Sequence, residues 1–255
     1  MNNAPIGFLD SGIGGVTVLK PTLNLLPNEN CYFFSDSANN PYGDKSDEEI
    51  ISRCDEIVNM LVSEKSCKAV VLACNTASAK AADYIRRKYT LPVFAIEPAY
   101  KMVHDINPDG FTLVMATRGT IESEKFNRLY YKYNNNKTVL MPCPGLADLI
   151  EQNRREELVV YLKNMLVKYS GKTENVVLGC THYPLIKDLI KDILGDVKFF
   201  DGAPGVAKRI QSVLFEAGLL TGAKKTGTVE FEDSSVDENI RRLKKERFFE
   251  LLEKY

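Results

Sequence analysis

Two cysteines in similar surroundings are the residues of this 255-residue chain best suited to chemistry. Cys74 lies in the segment Val-Val-Leu-Ala-Cys-Asn-Thr, and Cys180 lies in the segment Val-Val-Leu-Gly-Cys-Thr-His. In each segment an apolar run that predicts a buried strand is followed by polar residues that predict the start of a helix. Free N–H groups at a helix N-terminus favour a thiolate, so we expect this position to lower the pKa of both thiols.

A matched pair of thiols suits the inversion of a carbon centre that bears an acidic C–H bond. One thiolate removes the proton from one face, and the other thiol delivers a proton to the opposite face. The reverse reaction exchanges the two roles, so both groups must act as acid and as base. The carbanion or enolate intermediate needs hydrogen-bond donors, which helix N-termini provide. The hydroxyls of Thr76 and Thr181 and the amide of Asn75 are further candidates for holding a carboxylate substrate.

The other four cysteines lack such polar companions and are predicted to be buried packing residues: Cys31, Cys54, Cys67 and Cys143. No two cysteines form a C-x-x-C pair, and the chain has only two histidines, so we expect no metal site. Of these histidines, His104 is predicted to lie on a solvated helix surface. His182 follows Cys180 by two residues and is a candidate acid or base beside it.

Short apolar runs alternate with longer amphipathic segments along the first 116 residues. The pattern predicts strands at 6–9, 31–34, 69–73, 93–96 and 113–116, and helices at 15–26, 47–64, 76–89 and 98–105. Such alternation is typical of parallel sheets with helices on both faces. The sequence therefore predicts an α/β protein.

The segment around Cys180 repeats the segment around Cys74 after 106 residues, and similar offsets relate neighbouring strands. The chain is therefore predicted to contain two related three-layer α/β halves with pseudo-two-fold symmetry. Ligands of open α/β sheets bind beyond the carboxyl ends of the strands. We therefore expect both cysteines to face a single cleft between the halves.

Composition excludes several kinds of partner. The chain has 33 Lys+Arg against 34 Asp+Glu, so its net charge of −1 provides no attraction for nucleic acid or anionic membranes. It contains no apolar run long enough for a membrane span and shows no secretory signal at its start. We expect a cytoplasmic protein whose thiols stay reduced.

The glycine-rich segment 10–15 follows the first predicted strand. It does not match a dinucleotide-binding fingerprint, because Thr17 stands at the third glycine position, and it lacks the Gly-Lys-Ser/Thr of a P-loop. We expect instead an anion-holding turn in which Ser11 and backbone N–H groups meet a carboxylate. Asp10 is a candidate for orienting or deprotonating the substrate amino group or Cys74, and also for capping the next helix.

The last thirty or so residues alternate acids with bases, which favours a solvated helix over an arm that binds nucleic acid. Apolar residues at helical spacing predict that one stripe of this helix packs against the protein: Ile240, Leu243, Phe248, Leu251 and Leu252.

Four motifs in fixed order resemble those of the glutamate racemase family. They are Asp-Ser-Gly at 10–12, Pro-Tyr-Gly at 41–43, Ala-Cys-Asn-Thr-Ala at 73–77 and Gly-Cys-Thr-His-Tyr-Pro-Leu at 179–185. The resemblance extends from about residue 5 to residue 210. It implies a cofactor-independent enzyme that supplies D-glutamate for peptidoglycan, and that family members often form homodimers.

The resemblance also implies roles for particular residues. Cys74 acts on D-glutamate with Asp10 as its helper, and Cys180 acts on L-glutamate with His182 and Glu151 as helpers. The residues implied to bind substrate are Asp10, Ser11, Tyr42, Gly43, Asn75, Thr76, Thr117, Thr181 and His182. The implied domains are residues 1–97 with 207–255 on the Cys74 side and residues 98–206 on the Cys180 side, with the active site between them.

Three alternatives remain open from the sequence. A related aspartate racemase shares the two-cysteine logic, although the Asp-Ser-Gly loop and His182 favour glutamate. A pyridoxal-phosphate racemase needs a Schiff-base lysine and a phosphate-binding loop, and neither stands out in the sequence. A non-catalytic amino-acid-binding module predicts binding without turnover, and it leaves the two thiols without a purpose.

Overall fold

The computed structural model describes residues 2–255, whose nine strands form two fully parallel sheets. The first sheet contains β1 (Ile6–Asp10), β2 (Cys31–Ser35), β3 (Ala69–Leu72), β4 (Val93–Ala95) and β9 (Val229–Asp233). The second contains β5 (Thr112–Ala116), β6 (Thr138–Pro142), β7 (Asn175–Gly179) and β8 (Lys198–Phe200). The α/β prediction is confirmed.

Eleven α-helices connect and cover the strands within the described residues. They are α1 (Val16–Leu25), α2 (Asp47–Ser63), α3 (Asn75–Lys88), α4 (Tyr100–Ile106), α5 (Arg118–Ile121), α6 (Glu124–Tyr133), α7 (Leu146–Glu151), α8 (Arg155–Leu166), α9 (Lys187–Leu194), α10 (Ala203–Glu216) and α11 (Glu238–Lys254). The four helices predicted from the sequence lie within two residues of α1 to α4. None of the eleven is both long and apolar enough to cross a membrane.

The two halves share one strand order. The first sheet runs β4-β3-β1-β2-β9, and the second, read from its other edge, runs β8-β7-β5-β6. Each strand of the second half thus occupies the place of the strand about 106 residues before it, as the internal repeat predicts. The addition of β9, which pairs with β2, distinguishes the first sheet.

The central strands β1, β3, β5 and β7 are buried on both faces because they are apolar at nearly every position. In β1, Phe8 packs in the core that contains α1 and α10, whereas Leu9 faces the core that contains α2 and α3. The second sheet is covered by α7, α8 and α9 on one face and by α4 and α6 on the other. The carboxyl ends of the central strands β1, β3, β5 and β7 remain available for a site.

The C-terminal segment returns to the first half. The Phe248 ring of α11 lies 4.6 Å from both Phe33 of β2 and Phe231 of β9. The predicted apolar stripe is wrong in its first part, since Ile240 is 44% and Leu243 is 56% exposed. Directly after this part of α11, Lys244 forms an ion pair with Glu151 of the second half.

Candidate active site

Both cysteines line one cavity between the two halves. Cys74 occupies the N-cap position of α3, two residues after β3, and Cys180 directly follows β7. The cavity encloses about 570 Å³ of space, part of which is open to solvent.

Most of the site residues predicted from the sequence lie on this cavity wall. Besides the two cysteines, the wall contains Ser11, Tyr42, Gly43, Asn75, Thr76, Thr117, Thr181 and His182. Asp10 and Glu151 are not part of the lining. They lie behind the wall and contact residues that line it.

Asp10 is fully buried at the end of β1. Its Oδ2 accepts hydrogen bonds from the N–H groups of Gly15 (2.9 Å) and Gly12 (3.3 Å), and its Oδ1 accepts one from the Thr181 hydroxyl (3.3 Å). Burial raises the pKa of Asp10 to about 6, against the opposing effects of His182 and these N–H groups. Asp10 can therefore change its protonation state near neutral pH.

The Cys74 thiol stays protonated in this environment. Burial, with a smaller contribution from the nearby Asp10 carboxylate, raises the pKa of Cys74 to about 12. Hydrogen bonds from the Ala77 N–H and the Ser11 hydroxyl act in the opposite direction but do not prevail. The expected lowering of this pKa by the helix N-terminus is thus wrong for Cys74, because desolvation outweighs the helix end.

Cys180 lies against a histidine that is held by a carboxylate. The His182 Nδ1 is 3.8 Å from the Cys180 Sγ, and the His182 Nε2 is 2.6 Å from Oε2 of Glu151. Burial acts to lower the pKa of His182, but its hydrogen bonds with Cys180 and Glu151 raise it well above the ordinary value. His182 is therefore an imidazolium that donates both N–H groups, which attracts negative charge to the Cys180 sulfur.

Glu151 is ionised although it is almost fully buried. Burial acts to raise its pKa, but His182 and Lys244 together lower it to about 2.

The sequence also predicts an α-helix directly after Cys180, and this is wrong. A short 3₁₀ segment, Tyr183–Ile186, comes first, and α9 begins only at Lys187.

The glycine-rich loop after β1 is shaped by residues of the other half. A Cβ atom at Gly14 would lie 2.4 Å from the His182 ring, and one at Gly12 would lie 2.8 Å from the Glu151 carboxylate. The Ile13 N–H donates to Oε2 of Glu151 at 3.1 Å. The loop does hold carboxylates through backbone N–H groups, but the ones it holds are the protein's own Asp10 and Glu151. Ser11 is its contribution to the cavity wall.

The wall on the first half includes a turn held by a buried ionic network. The Tyr42 hydroxyl donates to Asp36 at 2.7 Å, and Arg53 donates to both oxygens of the same carboxylate at 2.8 and 2.9 Å. Burial acts to raise the pKa of Asp36, but these hydrogen bonds lower it. Those from Arg53 have the largest effect among them. The network fixes Tyr42 and the adjacent Gly43 at the cavity.

Asn75 is the lining residue best prepared for a polar ligand. Its side chain is buried, and neither its Nδ2 nor its Oδ1 has a hydrogen-bond partner among the described residues. Buried polar atoms without a partner are rare in folded proteins. A donor and an acceptor are thus free to bind a ligand at the N-terminus of α3.

The sequence patterns do not predict several of the residues that line the cavity: Asn40, Asp44, Arg118, Pro144, Gly145, Ala147 and Asp148. Two had usable signals, since Asn40 precedes the Pro-Tyr-Gly motif and Arg118 follows Thr117 at the start of α5. The prediction that Cys143 is only a packing residue needs a partial correction, because Cys143 packs in the second core as predicted but also lines the cavity.

Within residues 2–255, no cluster of three or more His, Cys, Asp or Glu is arranged to hold a metal ion.

Two related α/β halves that bring one cysteine each to a shared cavity define an enzyme of the two-thiol isomerase class. The chain belongs to the Asp/Glu/Hydantoin racemase family, whose sequence profile matches residues 23–210.

Comparisons with individual proteins point to one branch of that family. The chain is 41% identical over 249 residues to glutamate racemase of Clostridium botulinum (strain Alaska E43 / Type E3), covering 95% of this chain and 96% of the other. It is 40% identical over 251 residues to glutamate racemase of Clostridium perfringens (strain SM101 / Type A), covering 96% of each. The crystal structure of glutamate racemase from Francisella tularensis subsp. tularensis SCHU S4 in complex with D-glutamate superimposes with a TM-score of 0.81. It is 32% identical in sequence, with 98% of this chain and 95% of that chain covered.

Proposed function

We propose that this protein interconverts L-glutamate and D-glutamate by two-thiol acid–base catalysis without a cofactor, and so supplies D-glutamate for peptidoglycan. The observation that carries the proposal is the position of Cys74 and Cys180, at equivalent strand ends of the two halves and on the wall of one cavity. The relatives named above are glutamate racemases, which supports the choice of substrate.

In the direction from L- to D-glutamate, Cys180 must act as the base in its thiolate form and Cys74 as the acid in its thiol form. The Cys180 thiolate, paired with the His182 imidazolium, takes the α-proton and becomes a thiol. The electrons of the broken C–H bond move onto the α-carbon and its carboxylate. Cys74 then delivers its proton to the opposite face and becomes a thiolate, so each turnover leaves the two thiols with exchanged roles. Proton exchange with solvent restores the starting state.

Local polar groups rather than net charge recognise the substrate in this proposal. The Asn75 amide and the hydroxyls of Thr76 and Thr117, which lie 2.9 Å apart, surround the N-terminus of α3. This region binds one carboxylate of glutamate. Arg118 lies exposed at the rim of the cavity, where it attracts the dicarboxylate.

The proposal is tested by following the optical rotation of L- and D-glutamate and of L- and D-aspartate with the purified protein. We expect glutamate to be racemised with a clear preference. A preference for aspartate would assign the chain to the related activity, and binding of glutamate without turnover would make it a binding module. In D₂O the product should gain α-deuterium while early recovered substrate should not, because each face has its own thiol.

Three further parts of the proposal concern the protein as a whole. Two reacting thiols need a reducing compartment, which supports a cytoplasmic location. We expect a homodimer, as the family resemblance implies, and light scattering at several protein concentrations tests it.

We also propose two domains, residues 1–97 with 207–255 and residues 98–206. The membership of the two sheets supports this division, although residue 1 lies outside the described residues.

A further inference from the structure

The C-terminal helix contributes one cation to the Cys180 side of the site. Lys244 of α11 donates from Nζ to Oε1 of Glu151 at 2.6 Å. Farther along the helix, Phe248 is fully buried in the core of the first half. One helix therefore connects the first core to a carboxylate of the second half.

This contact extends the chain of charges that ends at the reacting sulfur. Lys244 binds one oxygen of Glu151, and His182 binds the other oxygen at 2.6 Å. The opposite nitrogen of the His182 ring lies 3.8 Å from the Cys180 Sγ. With Cys180 as thiolate, positive and negative groups alternate along all four residues.

The geometry leaves Glu151 little freedom while Lys244 is present. The Glu151 side chain is 7% exposed, and the Ile13 N–H also donates to it. The Lys244 side chain is 22% exposed, so the pair is well shielded from solvent screening. An exposed ion pair would matter little, but this one fixes a carboxylate that in turn orients a ring over Gly14.

We propose that Lys244 is a positioning residue for the half-reaction at Cys180. It holds the Glu151 carboxylate in the orientation in which Glu151 binds the His182 Nε2. The opposite side of the His182 ring then faces the Cys180 sulfur. Lys244 itself does not line the cavity. It also lies beyond residues 23–210, which the family profile matches, so the C-terminal helix adds it from outside that region. The inference rests on the proposed racemisation of glutamate.

The test uses three variants of the full-length protein. Lys244→Met removes the charge and keeps much of the length, Lys244→Arg keeps the charge, and Lys245→Met is the matched control at the exposed neighbouring position. The rates of racemisation are measured from both enantiomers, with and without deuterium at the α-carbon. Should Lys244→Met fail to fold by circular dichroism, Lys244→Gln takes its place.

We expect Lys244→Met to lower kcat/KM about 10-fold, as loss of an orienting partner commonly does. Enantiomers have equal free energies, so kcat/KM must fall equally in both directions. The deuterium isotope effects on kcat/KM for L-glutamate and for D-glutamate, however, must become different from each other. Proton removal by Cys180 becomes more rate-limiting, so the isotope effect on kcat/KM rises for L-glutamate and falls for D-glutamate. Lys244→Arg should restore most of the rate, and Lys245→Met should stay within about 2-fold of the wild type.

Several outcomes would overturn the inference. They are an unchanged rate in Lys244→Met, an equal loss in Lys245→Met, or a rate loss without divergence of the two isotope effects. The last outcome would show a general loosening of the fold, which slows both half-reactions alike. A wild-type protein that does not racemise glutamate would instead overturn the proposed function, so the two failures are distinguishable.

Discussion

Cys74 and Cys180 occupy equivalent places in the two halves but have opposite electrostatic surroundings. Cys74 is buried beside the Asp10 carboxylate, and burial raises the pKa of that thiol to about 12. Cys180 lies beside His182, whose pKa is raised well above its ordinary value by Cys180 and Glu151 despite burial. One thiol is thus kept protonated, and the other has a cationic neighbour.

A symmetric fold with two unlike thiol environments can perform a reaction that needs two unlike groups. Inversion in either direction requires one thiol and one thiolate at a time. Two identical environments would leave both sulfurs in the same state. The chain avoids this by placing a carboxylate behind one cysteine and a histidine–carboxylate pair behind the other, while the strand order of the two halves stays the same.

The largest expected effects follow from removing each sulfur in turn. Cys74→Ser and Cys180→Ser should each lower racemisation by about 1,000-fold or more, since a proton-transfer group is lost. Each variant keeps the other thiol and should retain hydrogen exchange at one face. In D₂O, monitored by proton NMR, Cys74→Ser should exchange the α-hydrogen of L-glutamate, and Cys180→Ser that of D-glutamate.

The same exchange experiment compares the rates of hydrogen exchange at Cys74 and at Cys180. Because His182 supports Cys180, exchange of L-glutamate by Cys74→Ser should be the faster of the two. Faster exchange of D-glutamate by Cys180→Ser would contradict the comparison. Full racemisation by either variant would contradict the assignment of both cysteines.

Asp10 and Glu151 should respond to neutralisation with opposite changes in stability. Burial raises the pKa of Asp10 from 3.8 to about 6, so its contribution to stability is present below pH 3.8 and is lost as pH rises through 6. Although burial opposes it, His182 and Lys244 lower the pKa of Glu151 from 4.5 to about 2. Its contribution is therefore present above pH 4.5 and is lost as pH falls through 2.

At pH 7 we therefore expect Asp10→Asn to raise the free energy of unfolding and Glu151→Gln to lower it, each by about 3 kcal/mol at most. Thermal unfolding between pH 4 and 8 measures both. The Tm difference between Asp10→Asn and the wild type should grow as pH rises from 4 to 7. A destabilised Asp10→Asn at every pH would show that its hydrogen bonds, rather than its buried charge, dominate. Each variant should also lose activity, because each supports one of the two thiols.

The sequence predicted the central strands, the two halves and most of the cavity lining, because these depend on local patterns that repeat. Three features depend on tertiary structure and were not predicted. In β9, the alternation of Val229 and Phe231 with glutamates is a weak signal beside a charged tail. The pKa of Cys74 depends on how deeply the thiol is buried, which spacing does not reveal. The Lys244–Glu151 contact joins residues 93 positions apart, and nothing in a helix of alternating charges singles out one lysine.

The smallest expected effect concerns the mouth of the cavity, where the two halves touch. Asn40 donates from Nδ2 to Oδ1 of Asp148 at 2.7 Å, and both residues line the cavity. The bond joins the two walls without contacting either sulfur. Its loss in Asn40→Ala should raise KM about 3-fold through weaker retention of substrate and leave kcat within about 2-fold.

A double-mutant cycle with Asp148→Ala, which removes the acceptor of this hydrogen bond, isolates the contact. If the hydrogen bond is what matters, the double variant should have nearly the KM of Asn40→Ala alone. Additive increases in KM would show that the two side chains act on the substrate separately. A fall in kcat with unchanged KM would mean that this contact affects proton transfer at both cysteines rather than the retention of substrate. The cavity mouth would then act on the same step as the surroundings of the two thiols.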